Sequence, residues 1–210
     1  MLGRLLGRRA RHRVESELGE LFDAVGSDKG RWYGSLYDML LNPVRSSTRC
    51  MIEIGIGTMV ANAPSSMVAW SGMGYRPGAS LRVWRDYFPL ADIHGVDPAP
   101  DTTVTGEPRI ATHQFDSRDP VRSADFFGRL AIAPDLIIDD GLHTAQAQIA
   151  TMRNFLPRVR PGGLYIVEDV ERHDVAKVSA AIPQIAPGAI YVPDNRPEPW
   201  IAIAIRVSNR

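Results

Sequence analysis

The chain has 210 residues, of which 44% are hydrophobic and 23% are charged, as expected of one soluble globular domain. The formal net charge is +0, so the protein has no overall positive field for a nucleic acid, and we expect no nucleic-acid partner. Its single cysteine, Cys50, excludes an internal disulfide and favours a reducing, cytoplasmic location.

Residues 1–26 are predicted to form a helical extension of a single domain that spans residues 1–210. The basic start, MLGRLLGRRARHR, lacks the apolar centre of roughly 7–15 residues that a secretory leader has. A solvated helix is favoured there over a basic amphipathic helix that contacts an anionic surface. No apolar run approaches the roughly 20 residues that span a bilayer, so we expect no stable membrane insertion.

Five apolar runs alternate along the chain with stretches that are long enough for a helix. The runs are CMIEIGIG from Cys50, DIHGVD ending at Asp97, ATHQFD ending at Asp116, DLIIDD from Asp135 and GLYIVED from Gly163. Strands that alternate with helices predict an α/β fold with a mostly parallel sheet and helices on both faces. In the tail, AIYVP and WIAIAIRV are joined by a loop, which predicts a C-terminal antiparallel hairpin.

Three helices can be placed from the same pattern. Apolar residues recur at three- and four-residue steps over residues 144–159, which predicts an amphipathic helix that stops before Pro161. A second helix is predicted from Ser80 to Phe88, closed by Pro89. A short third helix, DVAKVSAAI, is predicted before the hairpin.

The segment 58–78, TMVANAPSSMVAWSGMGYRPG, is a long insertion between the first strand and its helix. Long loops inside compact domains usually either carry function or are disordered. Because Trp70 and Tyr75 would be unusual in a flexible tether, we favour a lid that binds the acceptor over a disordered connection. Trp200, on the linker 194–200, is expected to face them across the crevice, where flat aromatic rings can pack on a sugar ring.

Acidic residues follow two of the predicted strands where each apolar run stops. Asp139, Asp140 and His143 come after PDLII, and Glu168 and Asp169 come after GGLYIV. The carboxyl ends of parallel strands meet at one edge of a sheet, so these side chains should converge on one crevice. Close carboxylates repel one another unless a cation intervenes, and a hard divalent ion such as Mg²⁺ is the simplest one. The alternative is that each acid caps the helix or loop after its strand.

Polar residues at the ends of the first three strands suit S-adenosylmethionine. Glu53 precedes the glycines of EIGIG, where a carboxylate suits an ammonium group, and Gly55 allows a close backbone approach. Asp97 can accept hydrogen bonds from ribose hydroxyls. Gln114 and Asp116, at the end of the third strand, can meet an adenine amino group. As an alternative, Glu53 only closes its strand.

Five stretches together resemble a known family. They are DKGxxYxxLYDMLL from Asp28, then EIGIG, GASLRVWRDYFPLADIHGVDP, DLIIDDGLH and VRPGGLYIVEDV. They are similar to class I S-adenosylmethionine-dependent O-methyltransferases, and in particular to metal-dependent bacterial sugar methyltransferases that modify macrolide deoxysugars. The resemblance runs from Ser27 to Val170 and implies a Rossmann-like class I methyltransferase sheet.

The resemblance also implies roles for individual residues. The implied ligands of Mg²⁺ are Asp140, Glu168 and Asp169, and the implied general base is His143. Coordination would lower the pKa of a sugar hydroxyl, and a neutral imidazole could accept its proton. The cofactor contacts would further include Lys29, Gly30, Ser80 and Asp139. An iron site of His143, His173 and Asp140 is the alternative, but the oxygen-rich surroundings favour magnesium.

The sequence therefore predicts an S-adenosylmethionine- and Mg²⁺-dependent O-methyltransferase that acts on a sugar hydroxyl. The resemblance implies a small-molecule or oligosaccharide acceptor, with an actinobacterial polysaccharide precursor, as in mycobacterial methylmannose polysaccharide assembly, as the narrower expectation. A nicotinamide-dependent sugar oxidoreductase is an alternative, although the third glycine of its fingerprint and a Tyr-x-x-x-Lys pair are missing. A catechol-like acceptor and a non-catalytic binding module are further alternatives. The oligomeric state stays open, with a homo-oligomer as one alternative.

Overall fold

A computed structural model describes residues 16–63, 65–69 and 75–209. Residues 1–15 of the predicted extension and Trp70 of the predicted lid lie outside the described residues. The strands are β1 Cys50–Ile54, β2 Asp92–Val96, β3 Ile110–His113, β4 Leu136–Asp139, β5 Leu164–Glu171, β6 Ile190–Pro193 and β7 Trp200–Arg206. The α-helices are α1 Glu17–Ala24, α2 Lys29–Leu41, α3 Ala79–Tyr87, α4 Pro120–Phe127, α5 Ala145–Phe155 and α6 Val175–Ile185.

The described strands form one seven-stranded sheet in the order β3-β2-β1-β4-β5-β7-β6. Strands β1 to β5 run parallel to one another, whereas β7 is antiparallel to β5 and β6 is antiparallel to β7. The predicted mostly parallel sheet with a C-terminal antiparallel hairpin is therefore confirmed. Every residue of β1 and of β4 is buried, because helices cover both faces of these central strands.

Two hydrophobic cores, one on each face, hold the helices to the sheet. On one face, α1, α2 and α3 pack around Trp84, whose ring lies edge-on to Phe22 at 4.8 Å and to Tyr37 at 5.2 Å. On the other face, α4, α5 and α6 pack around Phe155, which meets Phe127 edge-on at 5.0 Å. The carboxyl edge of the central strands is therefore the place left for a site. In the described ranges, no helix combines the length and apolar character needed to cross a membrane.

Helix α5 and strand β3 are shorter than the sequence predicts. Helix α5 ends at Phe155 instead of reaching residue 159, because Pro157 cannot continue an α-helix, and Leu156–Arg158 forms a 3-10 turn. Strand β3 ends at His113, so Asp116 lies three residues beyond the strand, in the loop before α4.

The acidic pair Glu168–Asp169 lies inside β5 rather than after it, which corrects the predicted strand end. The register with β7 shifts at this pair, which forms a β-bulge, and Asp169 has a φ of 48°. Gln148 of α5 donates from Nε2 to the carbonyl oxygens of Glu168 at 3.0 Å and of Asp169 at 3.3 Å. The side-chain amide thus gives the bulged carbonyls a partner, and the strand can continue past its charged residues.

Helices α1 and α2 approach so closely that their crossing requires glycine. A Cβ at Gly30 would lie 2.3 Å from the carbonyl oxygen of Gly19 and 2.6 Å from Oδ1 of Asp23. A Cβ at Gly34 would lie 2.8 Å from Cα of Gly19. Normal non-bonded carbon contacts begin at about 3.5 Å. The glycines therefore fix the position of α2, which carries Lys29 to the carboxyl edge of the sheet.

We expect Gly30→Ala to lower the free energy of unfolding by about 1–3 kcal/mol, the usual effect of overpacking a tight contact. Gly128→Ala is the matched control, because a Cβ there would meet its nearest atom at an ordinary 3.4 Å. Urea denaturation of both variants measures the difference. Equal stability of the two variants would contradict a packing role for Gly30.

Candidate active site

Two adjoining cavities lie at the carboxyl edge of the parallel strands. The carboxylate cleft, of ≈ 280 Å³, is lined by α2, part of the 58–78 insertion, the turns after β1 and β4, the bulge of β5 and the linker before β7. The Asp97 pocket, of ≈ 200 Å³, lies between the ends of β1 and β2 and the loop after β3. Gly55 and Ser65 line both cavities, so a ligand in one can reach the other.

Asp97 is held in one orientation at the floor of its pocket. Its Oδ2 accepts the backbone N–H of Ile56 at 3.1 Å, and its Oδ1 accepts that of Ala99 at 2.8 Å. Burial raises the pKa of the Asp97 carboxyl, and the two backbone N–H groups oppose this shift. The Ser65 side chain also forms a hydrogen bond with Asp97. Because two carboxylate oxygens offer about four lone pairs, Asp97 can still accept a further hydrogen bond from a ligand hydroxyl.

The loop after β3 supplies the other side of the Asp97 pocket. Phe115 and Asp116 line it, and Asp116 forms an ion pair with Arg118 at 2.6 Å. The structure does not bring Gln114 into this pocket, since its exposed side chain donates to the carbonyl oxygen of Pro98 at 3.3 Å. Of the two residues predicted to meet adenine, only Asp116 therefore lines this pocket.

Gly55 allows the turns after β1 and β4 to touch. It has a φ of 78°, and a Cβ there would lie 1.9 Å from the carbonyl oxygen of Asp140. Glycine adopts this conformation without the steric penalty that a side chain brings. The first glycine of EIGIG therefore brings the two cavities together and sets the position of the Asp140 backbone.

Lys29 lies at the centre of a cluster of carboxylates. Its Nζ donates to Asp140 Oδ2 at 2.6 Å and to Glu168 Oε2 at 2.8 Å, and it forms an ion pair with Glu53 Oε1 at 3.3 Å. Burial opposes its charge, but the carboxylates raise the pKa of Lys29 well above the ordinary value. Glu53 is fully buried, and Ser80 donates to its other oxygen at 2.6 Å. Glu53 was expected to face the ammonium group of a ligand, but in the structure the ammonium group beside it is that of Lys29.

Two tyrosines of α2 complete the partners of the acidic pair in β5. The hydroxyl of Tyr37 donates to Glu168 Oε1, and the hydroxyl of Tyr33 donates to Asp169 Oδ1. The backbone N–H of Asp169 in turn donates to the Tyr33 hydroxyl at 3.0 Å. Lys29, Tyr33 and Tyr37 are spaced by four residues, so they share one face of α2. This spacing was the sequence signal for two site residues that the sequence analysis missed.

Asp140, His143 and Asp169 could hold a metal ion, since one ligand atom from each lies within 4.8 Å of the others. His143 Nε2 lies 3.1 Å from Asp140 Oδ1, and its Nδ1 lies 3.5 Å from Asp169 Oδ2. Burial opposes protonation, but these two carboxylates raise the pKa of His143 to about 9. Glu168, the third predicted ligand, does not line the cleft, because Lys29 and Tyr37 take its two oxygens.

The other predicted site residues fall into two groups. Ser80, Tyr75 and Trp200 line the carboxylate cleft. Three others line neither cavity: Gly30 packs against α1, Asp139 is buried, and His173 is 73% exposed and pairs with Glu171. His173 therefore does not join His143 and Asp140 in the alternative iron site.

The sequence analysis also missed several charged and aromatic residues of the carboxylate cleft. They are Asp28, Trp32, Arg196 and Glu198. Arg196 lies over the ring of Tyr33, 4.7 Å from its centroid, and so ties the linker before β7 to α2. The linker and the insertion line the cleft together, with Trp200 on one segment and Tyr75 on the other.

No protein-family model matches the chain. The chain is 35% identical over 151 residues to the 8-demethyl-8-alpha-L-rhamnosyl tetracenomycin-C 2'-O-methyltransferase of Streptomyces olivaceus. This alignment covers 70% of this chain and 35% of that protein. The chain is 34% identical over 146 residues to the mycinamicin VI 2''-O-methyltransferase of Micromonospora griseorubida. This second alignment covers 66% of this chain and 31% of that protein. The chain thus spans about a third of the length of the curated relatives it matches.

Solved structures show the same fold. The MycE methyltransferase from the mycinamycin biosynthetic pathway, in complex with Mg and SAH, has a TM-score of 0.71 at 23% identity over 93% of this chain and 56% of that one. A complex that also holds mycinamycin VI has a TM-score of 0.71 at 22% identity, over 93% and 56% of the two chains. The predicted class I methyltransferase fold is confirmed, and so is the resemblance to sugar O-methyltransferases.

The stability of the metal-free protein should depend on the protonation of Asp139. Burial raises the pKa of this carboxyl to about 7, although Tyr165 donates to it at 2.8 Å. Because the folded protein favours the protonated form, the stabilisation is complete below the ordinary carboxyl pKa and is lost as the pH rises towards about 7.

We therefore expect the free energy of unfolding of Asp139→Asn to exceed that of the wild type by roughly 1–3 kcal/mol at pH 8 in EDTA. The two proteins should be nearly equal at pH 4.5. Asp125→Asn, at an exposed position of α4, is the control. Calorimetry at the two pH values gives the comparison, and an advantage for the variant that does not grow with pH would contradict the assignment.

Proposed function

We propose that this chain, a relative of sugar O-methyltransferases that act on antibiotic glycosides, transfers a methyl group from S-adenosylmethionine to a sugar hydroxyl with the help of Mg²⁺. The observation that carries this proposal is the convergence of Asp140, His143 and Asp169 in a cleft that adjoins the Asp97 pocket. A nucleoside site beside an oxygen-rich ion site is what a metal-dependent methyltransferase needs.

The Asp97 pocket is the proposed site of the adenosine part of the cofactor. Asp97 would accept hydrogen bonds from the ribose hydroxyls, and Asp116 would meet the adenine amino group beside Phe115. When bound, S-adenosylmethionine supplies a methyl group on a sulfonium. The cofactor would extend from the Asp97 pocket into the carboxylate cleft beside Gly55 and Ser65, which line both cavities.

The donor set of the cleft fits a hard divalent ion. Asp140 and Asp169 offer carboxylate oxygens, which Mg²⁺ prefers, and both line the cleft. Glu168 would join them in place of a contact that it now makes with Lys29 or Tyr37. When bound, the ion would lower the pKa of a coordinated hydroxyl.

His143 is the proposed general base. Its imidazole reaches the same cleft as Asp140 and Asp169, so it lies near the hydroxyl that would be methylated. Only a neutral imidazole can accept a proton, and the two carboxylates hold the pKa of His143 at about 9 in the metal-free protein. Neutral His143 at physiological pH therefore requires that the charge of these carboxylates be offset.

The acceptor is proposed to be a saccharide with neighbouring oxygens. Trp32, Tyr75 and Trp200 line the cleft and offer flat apolar faces to a sugar ring. The similar enzymes are named as methyltransferases of glycosylated antibiotics, and one related structure holds mycinamycin VI. These observations favour a sugar over a catechol. A precursor of an actinobacterial polysaccharide is the narrower proposal, which the resemblance alone supports.

Saturating S-adenosylhomocysteine, at about 100 times its Kd, should raise the melting temperature by roughly 5–10 °C, because it stabilises only the folded state. NAD⁺ should leave it unchanged. Asp97→Ala should abolish the shift, whereas Asp92→Ala, at the exposed start of the same strand, should retain it. Differential scanning fluorimetry is the measurement. A shift with NAD⁺ alone would favour the oxidoreductase alternative.

Methyl transfer from radiolabelled S-adenosylmethionine to a panel of saccharides should require a divalent ion. Asp169→Asn, or EDTA, should lower turnover by roughly 100-fold or more, because the ion that would coordinate the acceptor hydroxyl is no longer held. Binding of S-adenosylhomocysteine should persist. Glu171→Gln, two residues along the same strand and outside the cleft, is the control. Full activity in EDTA would overturn the metal assignment, and methylation of catechols alone would overturn the acceptor.

A further inference from the structure

The basic residues of this protein are almost all arginines. Of the 24 lysines and arginines, only Lys29 and Lys177 are lysines. Lys177 is exposed on α6, whereas the side chain of Lys29 is 4% exposed. A lysine ammonium is a compact point charge with three donors, while a guanidinium is a flat fork that suits bidentate contacts. The buried position therefore uses the cation whose shape allows three separate carboxylates to approach one nitrogen.

The three carboxylates around Lys29 come from three neighbouring strands. Glu53 belongs to β1, Asp140 follows β4, and Glu168 lies in the bulge of β5, and these strands are adjacent in the sheet. Glu53 and Glu168 are at most 1% exposed, so water cannot screen their charges. Without a cation at Nζ, these groups would repel one another at low dielectric.

Asp140 is shared between Lys29 and the proposed ion site. Its Oδ2 accepts from Lys29 at 2.6 Å, and its Oδ1 faces His143 at 3.1 Å. Both oxygens are therefore engaged in the metal-free protein. A divalent ion that binds Asp140 has to compete with the ammonium group for this carboxylate.

We propose that Lys29 is a built-in cation that positions Glu53, Asp140 and Glu168 in the metal-free protein and competes with a divalent ion for Asp140. The inference rests on the proposed function, because it needs an ion at Asp140. Lys29 is a positioning residue, since it acts through the carboxylates. It stabilises the empty site and weakens the binding of the ion at the same time.

Removal of the ammonium group should therefore have two opposite effects. The metal-free protein should lose stability, because buried carboxylates are left without a partner. The ion should bind more tightly, because one competing positive charge has gone. A lysine with a merely structural role predicts the first effect without the second, since loosened carboxylates would bind an ion less well.

The test uses the full chain with Lys29→Met, and Lys177→Met as the control. In EDTA, Lys29→Met should melt roughly 10 °C below the wild type. Mg²⁺ should raise the melting temperature of Lys29→Met more than that of the wild type. Isothermal titration calorimetry should give a Kd for Mg²⁺ that is about tenfold lower in Lys29→Met. The control should match the wild type in both measurements.

A second comparison keeps the test open if Lys29→Met does not fold. Glu53→Gln retains a partner for Ser80 and removes one buried charge that lies outside the proposed ion site. Lys29→Met/Glu53→Gln should then bind Mg²⁺ more tightly than Glu53→Gln alone. Equal or weaker binding in the variants without Lys29 would overturn the inference and leave the proposed function intact. A wild type that binds no divalent ion would overturn both.

Discussion

Repulsion among carboxylates at the carboxyl edge of the sheet is the constraint on which the rest of the site depends. Glu53, Asp140, Glu168 and Asp169 come from three adjacent strands, and parallel pairing brings them together whatever else the chain does. Burial removes the water that would screen them and raises the pKa of Glu168 to about 7. Each of these acids forms a hydrogen bond with another side chain, which is an ammonium group, a tyrosine hydroxyl, an imidazole or a serine hydroxyl.

Most of those partners come from one helix, which makes the packing of α2 a condition of the chemistry. Lys29, Tyr33 and Tyr37 face the acids, while Gly30 and Gly34 on the neighbouring face meet α1. The glycine contacts set how closely α2 packs against α1. The positions of the Lys29 ammonium group and of the tyrosine hydroxyls follow from this packing. A mutation of Gly30 or Gly34 at the α1–α2 crossing would thus shift the charged groups of the cleft, although neither glycine lines it.

The sequence alone predicts which residues meet at the edge of the sheet wherever the position of a residue along its strand decides its position in space. Asp97, Asp140 and His143 follow apolar runs, and the runs are strands whose ends share an edge. It was insufficient where partners come from elsewhere in the fold. Gln114 has the right chemistry for adenine, but its side chain points out of the pocket. Glu168 matches a ligand motif, yet α2 occupies its oxygens, a contact that no local pattern encodes.

The bulge in β5 has a consequence for how this scaffold can change. Successive residues of a regular strand point to opposite faces, and a shift by one residue reverses all of them. The bulge resets the pairing with β7 at the acidic pair, between Val167 and Val170, so the end of β5 that meets Trp200 pairs in a shifted register. The linker 194–200 is coupled to this bulge, because Arg196 lies over the ring of Tyr33 and the Tyr33 hydroxyl donates to Asp169. A substitution in the linker therefore also perturbs the acids, so the two segments are expected to change together during evolution.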